Sequence, residues 1–292
     1  MRIKGFGVNT RKTDGNFSRL ENQLTYLKEA GFEYLEVSAD VVDTISGGKI
    51  IPKRIDKLLQ LLERYEFKYT AHIHNGIDLR DNQDREFQLA SFKSGIEFAG
   101  IIGAELLVCH FEKESDDPTK EFLFREAILK GLGYAKKWKL KIGIENIEID
   151  KLSKVVDFVK GINEPDIILV LDVGHAFLSE HYFGENFLKS IERAASMVSH
   201  IHLSDNFGRF EKMRLENFDL YRVSSYTNRL NLGRGDLNLP LGWGTIPFKE
   251  VLEILKDYQG IVILEYYHDK YLDFNPDILK ETKVLFSKYP AK

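Results

Sequence analysis

The sequence is poor in cysteine, in long apolar runs and in excess charge of one sign. Cys109 is the only cysteine among 292 residues, which excludes an intrachain disulfide and fits a reducing compartment. The N-terminal residues lack the apolar stretch of a signal peptide, and no segment approaches the roughly 20 apolar residues that span a bilayer. A net charge of −4 gives no reason to expect a general nucleic-acid or membrane binder. We therefore expect a cytoplasmic protein without a membrane partner.

Short apolar segments alternate with longer amphipathic ones along the chain. The short segments, which are often β-branched as in buried parallel strands, are Ile3–Val8, Tyr34–Val37, Lys68–His72, Leu106–Cys109, Lys141–Glu145, Ile167–Asp172, Val198–Leu203 and Ile261–Glu265. The intervening segments have helical spacing, such as Leu20, Leu24 and Leu27 before Gly31, a predicted C-terminal cap. Eight strands alternating with helices predict one α/β domain over residues 1–292, a single (β/α)8 TIM barrel. An open doubly wound sheet is the alternative, and the lack of a glycine-rich loop after the first strand disfavours it.

The seventh predicted strand is followed by more chain than one helix needs. Residues 209–234 of this extended loop contain six basic side chains against three acidic ones. One interpretation is a solvated surface loop or an oligomer contact. The other is a lid insertion that brings basic side chains such as Arg209 over an anionic substrate.

Histidines and carboxylates concentrate at the carboxyl ends of the predicted strands: His72, His74, His110, Glu145, Asp172, His175, His200, His202 and Glu265. In a βα barrel these ends meet at one rim, where active sites lie. Each of these residues taken alone could be a hydrogen-bonded residue of the core. Burying so many polar and charged side chains together is costly unless a cation compensates their charge. Mixed imidazole and carboxylate donors suit zinc, manganese, iron or cobalt. We expect one or two divalent ions, zinc or manganese.

The spacing of the histidines separates some candidates but not all. His200 and His202 are two residues apart and share one face of their strand, and His202 is nearer the rim. We therefore favour His202 as a ligand and interpret His200 as structural. Spacing alone does not choose between His72 and His74.

Several motifs resemble those of the xylose isomerase-like TIM barrel superfamily, which contains sugar and sugar-phosphate isomerases and epimerases and also endonuclease IV. The motifs are HIHNGIDL at 72–79, VCH at 108–110, IEN at 144–146, LDVGHAF at 171–177, HIHLSD at 200–205, GDLNLPLGWG at 235–244 and LE at 264–265. They occur in order on predicted strands three to eight, so the resemblance covers essentially the whole chain.

The resemblance implies site residues position by position. The four-ligand metal site of the epimerases and the endonuclease corresponds to Glu145, Asp172, His202 and Glu265. His72 and His110 correspond to ligands of an additional metal that shares Glu145. His175 and Asp236 correspond to two of the three ligands of a third zinc in endonuclease IV. Asn238 stands where that enzyme has histidine, and asparagine is a poor zinc ligand, so a full trinuclear cluster is not expected.

The first functional hypothesis is a divalent-metal-dependent isomerase or epimerase of a small sugar or sugar phosphate, acting by proton transfer through a metal-stabilised enediolate. Glu145 and Glu265 are the candidate proton-transfer groups, and His175 would hydrogen-bond a substrate oxygen. His74 and Arg209 are further candidate substrate contacts.

Two other hypotheses belong to different classes. The alternative enzyme is an endonuclease IV-like, metal-dependent phosphodiesterase acting on abasic DNA; His72 and His110 favour it, and Asn238 disfavours it. The third is a barrel that binds a sugar or a metal without turnover. The sequence does not indicate the substrate, the number of metals or the oligomeric state.

Overall fold

The computed structural model describes residues 1–290, in which eight parallel strands form a closed barrel. The strands are β1 (Arg2–Asn9), β2 (Tyr34–Ser38), β3 (Lys68–His72), β4 (Leu106–His110), β5 (Lys141–Glu145), β6 (Ile167–Asp172), β7 (Val198–Leu203) and β8 (Gln259–Leu264). Each strand pairs with the next in the chain, and β8 pairs with β1. The predicted single (β/α)8 barrel is confirmed.

Helices lie between the strands and after β8. They are α1 (Phe17–Ala30), α2 (Pro52–Leu62), α3 (Arg85–Ile101), α4 (Pro118–Ala135), α5 (Leu152–Ile162), α6 (Val173–Tyr182), α7 (Phe187–Ala194), α8 (Met213–Glu216), α9 (Phe218–Val223), α10 (Tyr226–Leu232), α11 (Phe248–Ile254) and α12 (Asn275–Ser287). The Asn16 side chain caps the first turn of α1, and Gly31 ends the helix with a φ of 92°, as its position in the sequence predicts. A short antiparallel pair, Ile45–Ser46 with Lys49–Ile50, precedes α2.

The interior of the barrel is filled by small apolar clusters that are separate from the main core between strands and helices. One cluster joins Tyr34 of β2 to Ile263 of β8. Gly7 of β1 lies against both: a Cβ added there would be 2.6 Å from the Ile263 side chain and 2.6 Å from the Tyr34 Cβ. A glycine is therefore needed for these strands to approach each other. Cys109 of β4 belongs to the outer core and is 3% exposed.

The predicted extended loop after the seventh strand is present and contains α8, α9 and α10. The side chains of these three short helices are all partly or fully exposed. Because this segment follows the carboxyl end of β7, it lies on that face of the barrel, and its exposed side chains place it outside the core. Within residues 1–290, no helix combines the length and apolar character needed to cross a membrane.

Candidate metal centre

Polar side chains form the uppermost interior layer of the barrel. Side chains two residues apart share one face of a strand. Val108, Val170 and Ile263 point into the barrel, so His110, Asp172 and Glu265, which follow them by two residues, point inward as well. The residues of this layer are Glu36, His72, His110, Glu145, Asp172, His202 and Glu265. The parallel strands thus end in polar side chains that face one another.

The four predicted ligands of the main metal site come together in the structure. Ligand atoms of Glu145, Asp172 and Glu265 lie within 4.8 Å of one another, together with His175. The Nδ1 atom of His202 is 2.7 Å from Glu145 Oε1 and 3.6 Å from Glu265 Oε2. Three carboxylates and the His175 imidazole therefore form one cluster, and His202 of β7 lies against two of its carboxylates, Glu145 and Glu265.

A second cluster lies on the other side of Glu145. The Nε2 atoms of His72 and His110 are 3.3 Å and 3.4 Å from Glu145 Oε2, and their ring centroids are 4.8 Å apart. Glu145 therefore directs one oxygen to each cluster. Spacing in the sequence left His72 and His74 unresolved, and in the structure it is His72 that approaches Glu145.

Local structure places His175 beside the main cluster. Asp172 ends β6 and caps α6, because its Oδ1 accepts a 2.6 Å hydrogen bond from the His175 amide. This cap fixes the first turn of α6, in which His175 Nε2 lies 3.9 Å from Asp172 Oδ2. The three-residue spacing of Asp172 and His175 is thus the spacing between an N-cap residue and the backbone amide whose hydrogen bond it accepts.

Asp236 and Asn238 lie in the loop between α10 and α11. Asn238 Nδ2 donates a 2.6 Å hydrogen bond to Asp236 Oδ2. Both residues line a cavity of about 410 Å³ with His72, His110 and Glu265. The loop is held by Asp205, whose Oδ2 accepts hydrogen bonds from the amides of Gly242 and Gly244.

Two predicted substrate contacts lie apart from this cavity. His74 borders a neighbouring space of about 60 Å³, and its buried Nδ1 makes no hydrogen bond within the described chain. The Arg209 side chain is exposed, and its backbone carbonyl accepts a 2.7 Å hydrogen bond from Gly235. The basic side chains among the cavity-lining residues are those of Arg11 and Lys12, which follow β1.

The carboxyl groups of the main cluster have strongly shifted pKa values. Burial and the charges of Glu265 and Glu145 raise the pKa of Asp172 well above its usual value, although His175 opposes this shift. The buried Oδ2 of Asp172 makes no hydrogen bond anywhere in residues 1–290. Burial raises the pKa of Glu145, but His202 and His72 outweigh it and hold the pKa well below its usual range.

These features fit a divalent cation at the main cluster. A cation would compensate the clustered charges and would provide a partner for the free oxygen of Asp172. Three carboxylates with imidazole nitrogens are donors that suit zinc or manganese more than calcium. The residues that could hold it are Glu145, Asp172, His202 and Glu265, with His175 beside them.

Sequence reasoning missed two buried glutamates beside the site, Glu36 and Glu148. Glu36 Oε2 lies 3.2 Å from His202 Nε2, and Glu148 Oε2 lies 3.3 Å from His175 Nδ1. Burial raises the pKa of Glu36, but its histidine neighbours outweigh that effect and keep the carboxyl ionised. The available signal for Glu36 was a single carboxylate inside the apolar run of β2.

A family model described as xylose isomerase-like TIM barrel matches residues 24–287. The chain belongs to this family. An uncharacterized protein of Methanocaldococcus jannaschii is 23% identical over 279 residues, which are 90% of this chain and 84% of that protein.

Solved structures with similar folds include sugar epimerases and a zinc-containing protein. A D-tagatose 3-epimerase-like protein has a TM-score of 0.71 at 20% identity, covering 97% of this chain and 98% of that one. A D-allulose 3-epimerase from Methylomonas sp. has a TM-score of 0.69 at 14% identity, with the same coverages. The IOLI protein with a bound zinc atom has a TM-score of 0.65 at 16% identity, covering 99% and 100% of the two chains. At these identities the likeness is one of fold.

Proposed function

We propose that the protein is a divalent-metal-dependent isomerase or epimerase of a sugar or sugar phosphate, with zinc or manganese as its metal. The observation that carries the proposal is the convergence of Glu145, Asp172 and Glu265 around a point where Asp172 Oδ2 has no hydrogen-bond partner in the described chain. Membership in the xylose isomerase-like family and the epimerases of similar fold support it.

The two glutamates are suited to moving a proton at the substrate carbon next to a carbonyl. Glu265 and Glu145 lie on different strands, and the Glu265 side chain is 14% exposed in the cavity while that of Glu145 is 1% exposed. We assign proton removal to the Glu265 carboxylate and proton return to Glu145, on opposite sides of the carbon. A divalent ion bound here would supply positive charge that stabilises the enediolate.

His175 is suited to donate a hydrogen bond to a substrate oxygen. Burial lowers its pKa, but Asp172, Asp236 and Glu148 outweigh burial and raise the pKa to about 10. Before a cation binds, these carboxylates therefore favour the protonated ring. Nδ1 lies 3.3 Å from Glu148 Oε2, and Nε2 lies 3.9 Å from Asp172 Oδ2 in the main cluster, where it can donate to a substrate oxygen.

Proton exchange with solvent tests this function directly. The metal-loaded protein is incubated in D2O with a panel of ketoses, aldoses and their phosphates, and NMR follows deuterium entry next to the carbonyl. We expect metal-dependent exchange with at least one sugar, loss of it in Glu265→Gln, and retention in Glu180→Gln, a buried glutamate bound to Ser190 and Leu152. A broad panel without exchange under any metal would contradict the proposal.

The second cluster supports one alternative function. His72 and His110 approach Glu145 Oε2 as the ligands of a second, bridged metal would, which is an arrangement suited to phosphodiester cleavage. The hydrogen bond from Asn238 Nδ2 engages Asp236 Oδ2, an oxygen that could otherwise bind a third metal. Metal-dependent nicking of a duplex with one abasic site would favour this alternative, and an uncut duplex would reject it.

A further inference from the structure

Glu36 is a buried carboxylate next to His202, one of the candidate metal ligands. It is on β2, across the barrel from Glu145, and is 0% exposed. Its Oε2 accepts a 3.1 Å hydrogen bond from the Thr70 hydroxyl on β3 and lies 3.2 Å from His202 Nε2 on β7. His200 Nε2, one layer deeper, is 3.6 Å away. None of the functional assignments above uses this carboxylate.

The two nitrogens of His202 face different carboxylates. Nε2 lies 3.2 Å from Glu36 Oε2, whereas Nδ1 lies 2.7 Å from Glu145 Oε1 and 3.6 Å from Glu265 Oε2. A neutral imidazole carries one proton, and the hydrogen bond made by one nitrogen decides which nitrogen keeps a free lone pair. A carboxylate that accepts the Nε2 proton therefore leaves the lone pair of His202 on Nδ1, the nitrogen that faces the main cluster.

We propose that Glu36 is the positioning residue of His202: it accepts the Nε2 proton, so that the Nδ1 lone pair is directed to the metal position. This inference rests on the proposed metal-dependent function. The Thr70 hydroxyl fixes the orientation of the Glu36 carboxylate, so the three residues form a chain from β3 through β2 to β7. Such outer carboxylates orient imidazole ligands and increase their basicity, and their loss commonly weakens metal binding 10- to 100-fold.

The placement of Glu36 argues against a role only in stability. A buried ionised carboxylate is costly, and a core position on β2 would be filled more cheaply by an apolar side chain. Its Oε1 makes no hydrogen bond to any part of the chain that the structure describes, so the carboxylate is not fully satisfied by its surroundings. The ring nitrogen nearest to its Oε2 is Nε2 of His202, at 3.2 Å.

Metal affinity of the whole protein, measured apart from catalysis, tests the proposal. Wild type, Glu36→Gln, Thr70→Val and Glu180→Gln are stripped with a chelator, and the zinc dissociation constant is measured by competition with a chromophoric chelator. We expect 10- to 100-fold weaker binding in Glu36→Gln, a smaller loss in Thr70→Val, and a change below twofold in the matched control Glu180→Gln. Nitrogen-15 NMR of the zinc-loaded protein should show Nδ1 coordination and an Nε2 proton on His202.

The outcomes separate this inference from the function on which it rests. If wild type binds no zinc or manganese, the metal centre itself is rejected, and the role of Glu36 with it. If wild type binds metal and Glu36→Gln binds it equally well, only the positioning role is rejected. Coordination of His202 through Nε2 would also overturn it. Should Glu36→Gln not fold, Thr70→Val decides, because wild-type affinity in that variant contradicts the proposed chain.

Discussion

Asp172 uses its two carboxyl oxygens in opposite ways. Oδ1 accepts the His175 amide and begins α6, which stabilises the folded chain. Oδ2 is buried among Glu145 and Glu265 without a hydrogen-bond partner in residues 1–290. Burial and these like charges raise the pKa of Asp172, which means that its ionised form is disfavoured in the metal-free fold. A cation bound at Oδ2 would offset the cost of ionising this carboxyl group.

We expect Asp172→Asn to stabilise the metal-free protein by about 1–2 kcal/mol, because the amide keeps the cap of α6 and is neutral without having to take up a proton. The same change should weaken zinc binding at least tenfold, since a carboxylate ligand is lost. Denaturant unfolding of chelator-treated protein measures the first effect and metal titration the second. A metal-free variant that is less stable than wild type would contradict this account.

At the scale of elements, the segment after β7 is joined to the site through one buried carboxylate. Arg214 of α8 donates a 2.7 Å hydrogen bond from Nε to Glu148 Oε1, and Glu148 Oε2 lies 3.3 Å from His175 Nδ1. The Arg214 guanidinium also lies 4.7 Å from the centroid of the Phe218 ring. An ion pair between Arg214 and a buried carboxylate thus attaches α8, the first helix of this segment, to the barrel.

Replacing Arg214 with methionine should destabilise the protein by about 1.5–3 kcal/mol, because the buried Glu148 carboxylate loses a charged hydrogen-bond partner and keeps only His175. Arg222→Met, at an exposed arginine of α9, should cost less than about 0.5 kcal/mol. The double variant R214M/E148Q should be more stable than R214M alone, since the second change removes a buried charge that has lost its arginine partner. Urea unfolding measures all three, and equal stability of R214M and wild type would show that the pair contributes nothing.

The elements of the barrel could be predicted from the sequence more completely than the surroundings of the site. An apolar run such as Lys141–Glu145 carries a local signal, and the observed β5 has the same bounds. The meeting of Glu145 and Glu265 also followed, because the ends of parallel strands in a barrel share one rim. Glu36 could not be assigned, since its importance depends on distant partners in β3 and β7. The packing of α8 on Glu148 could not be predicted either, because Arg214 and Glu148 are 66 residues apart in the sequence.

At the scale of the whole molecule, His268 joins the last strand of the barrel to the first. It follows β8, and its Nε2 donates a 2.9 Å hydrogen bond to the carbonyl of Asn9 at the end of β1. Its Nδ1 accepts a 2.8 Å hydrogen bond from the Tyr26 hydroxyl of α1. Burial, aided by the charge of Arg11, lowers the pKa of His268 from 6.5 to about 4. The closing contact therefore uses a neutral imidazole.

This pKa predicts a loss of stability in acid. Between pH 6.5 and about 4 the unfolded chain binds a proton at His268 that the folded chain does not, so stability falls as the pH falls. The contribution approaches 1.4 kcal/mol per pH unit, by the usual conversion, and is absent above this range. Glutamine can replace both hydrogen bonds without titrating, so His268→Gln should lose less stability between pH 7 and 4. Equal slopes for variant and wild type would contradict the prediction.

The outward-facing thiol of β4 makes the opening of the barrel measurable without any label or mutation. Cys109 is buried, and burial, with the charge of Glu145, raises its pKa, so the native thiol is both inaccessible and unreactive. A disulfide reagent can then modify the chain only in molecules whose wall has come apart. Because no other thiol competes, the rate of modification reports how often each molecule breathes widely enough to admit the reagent.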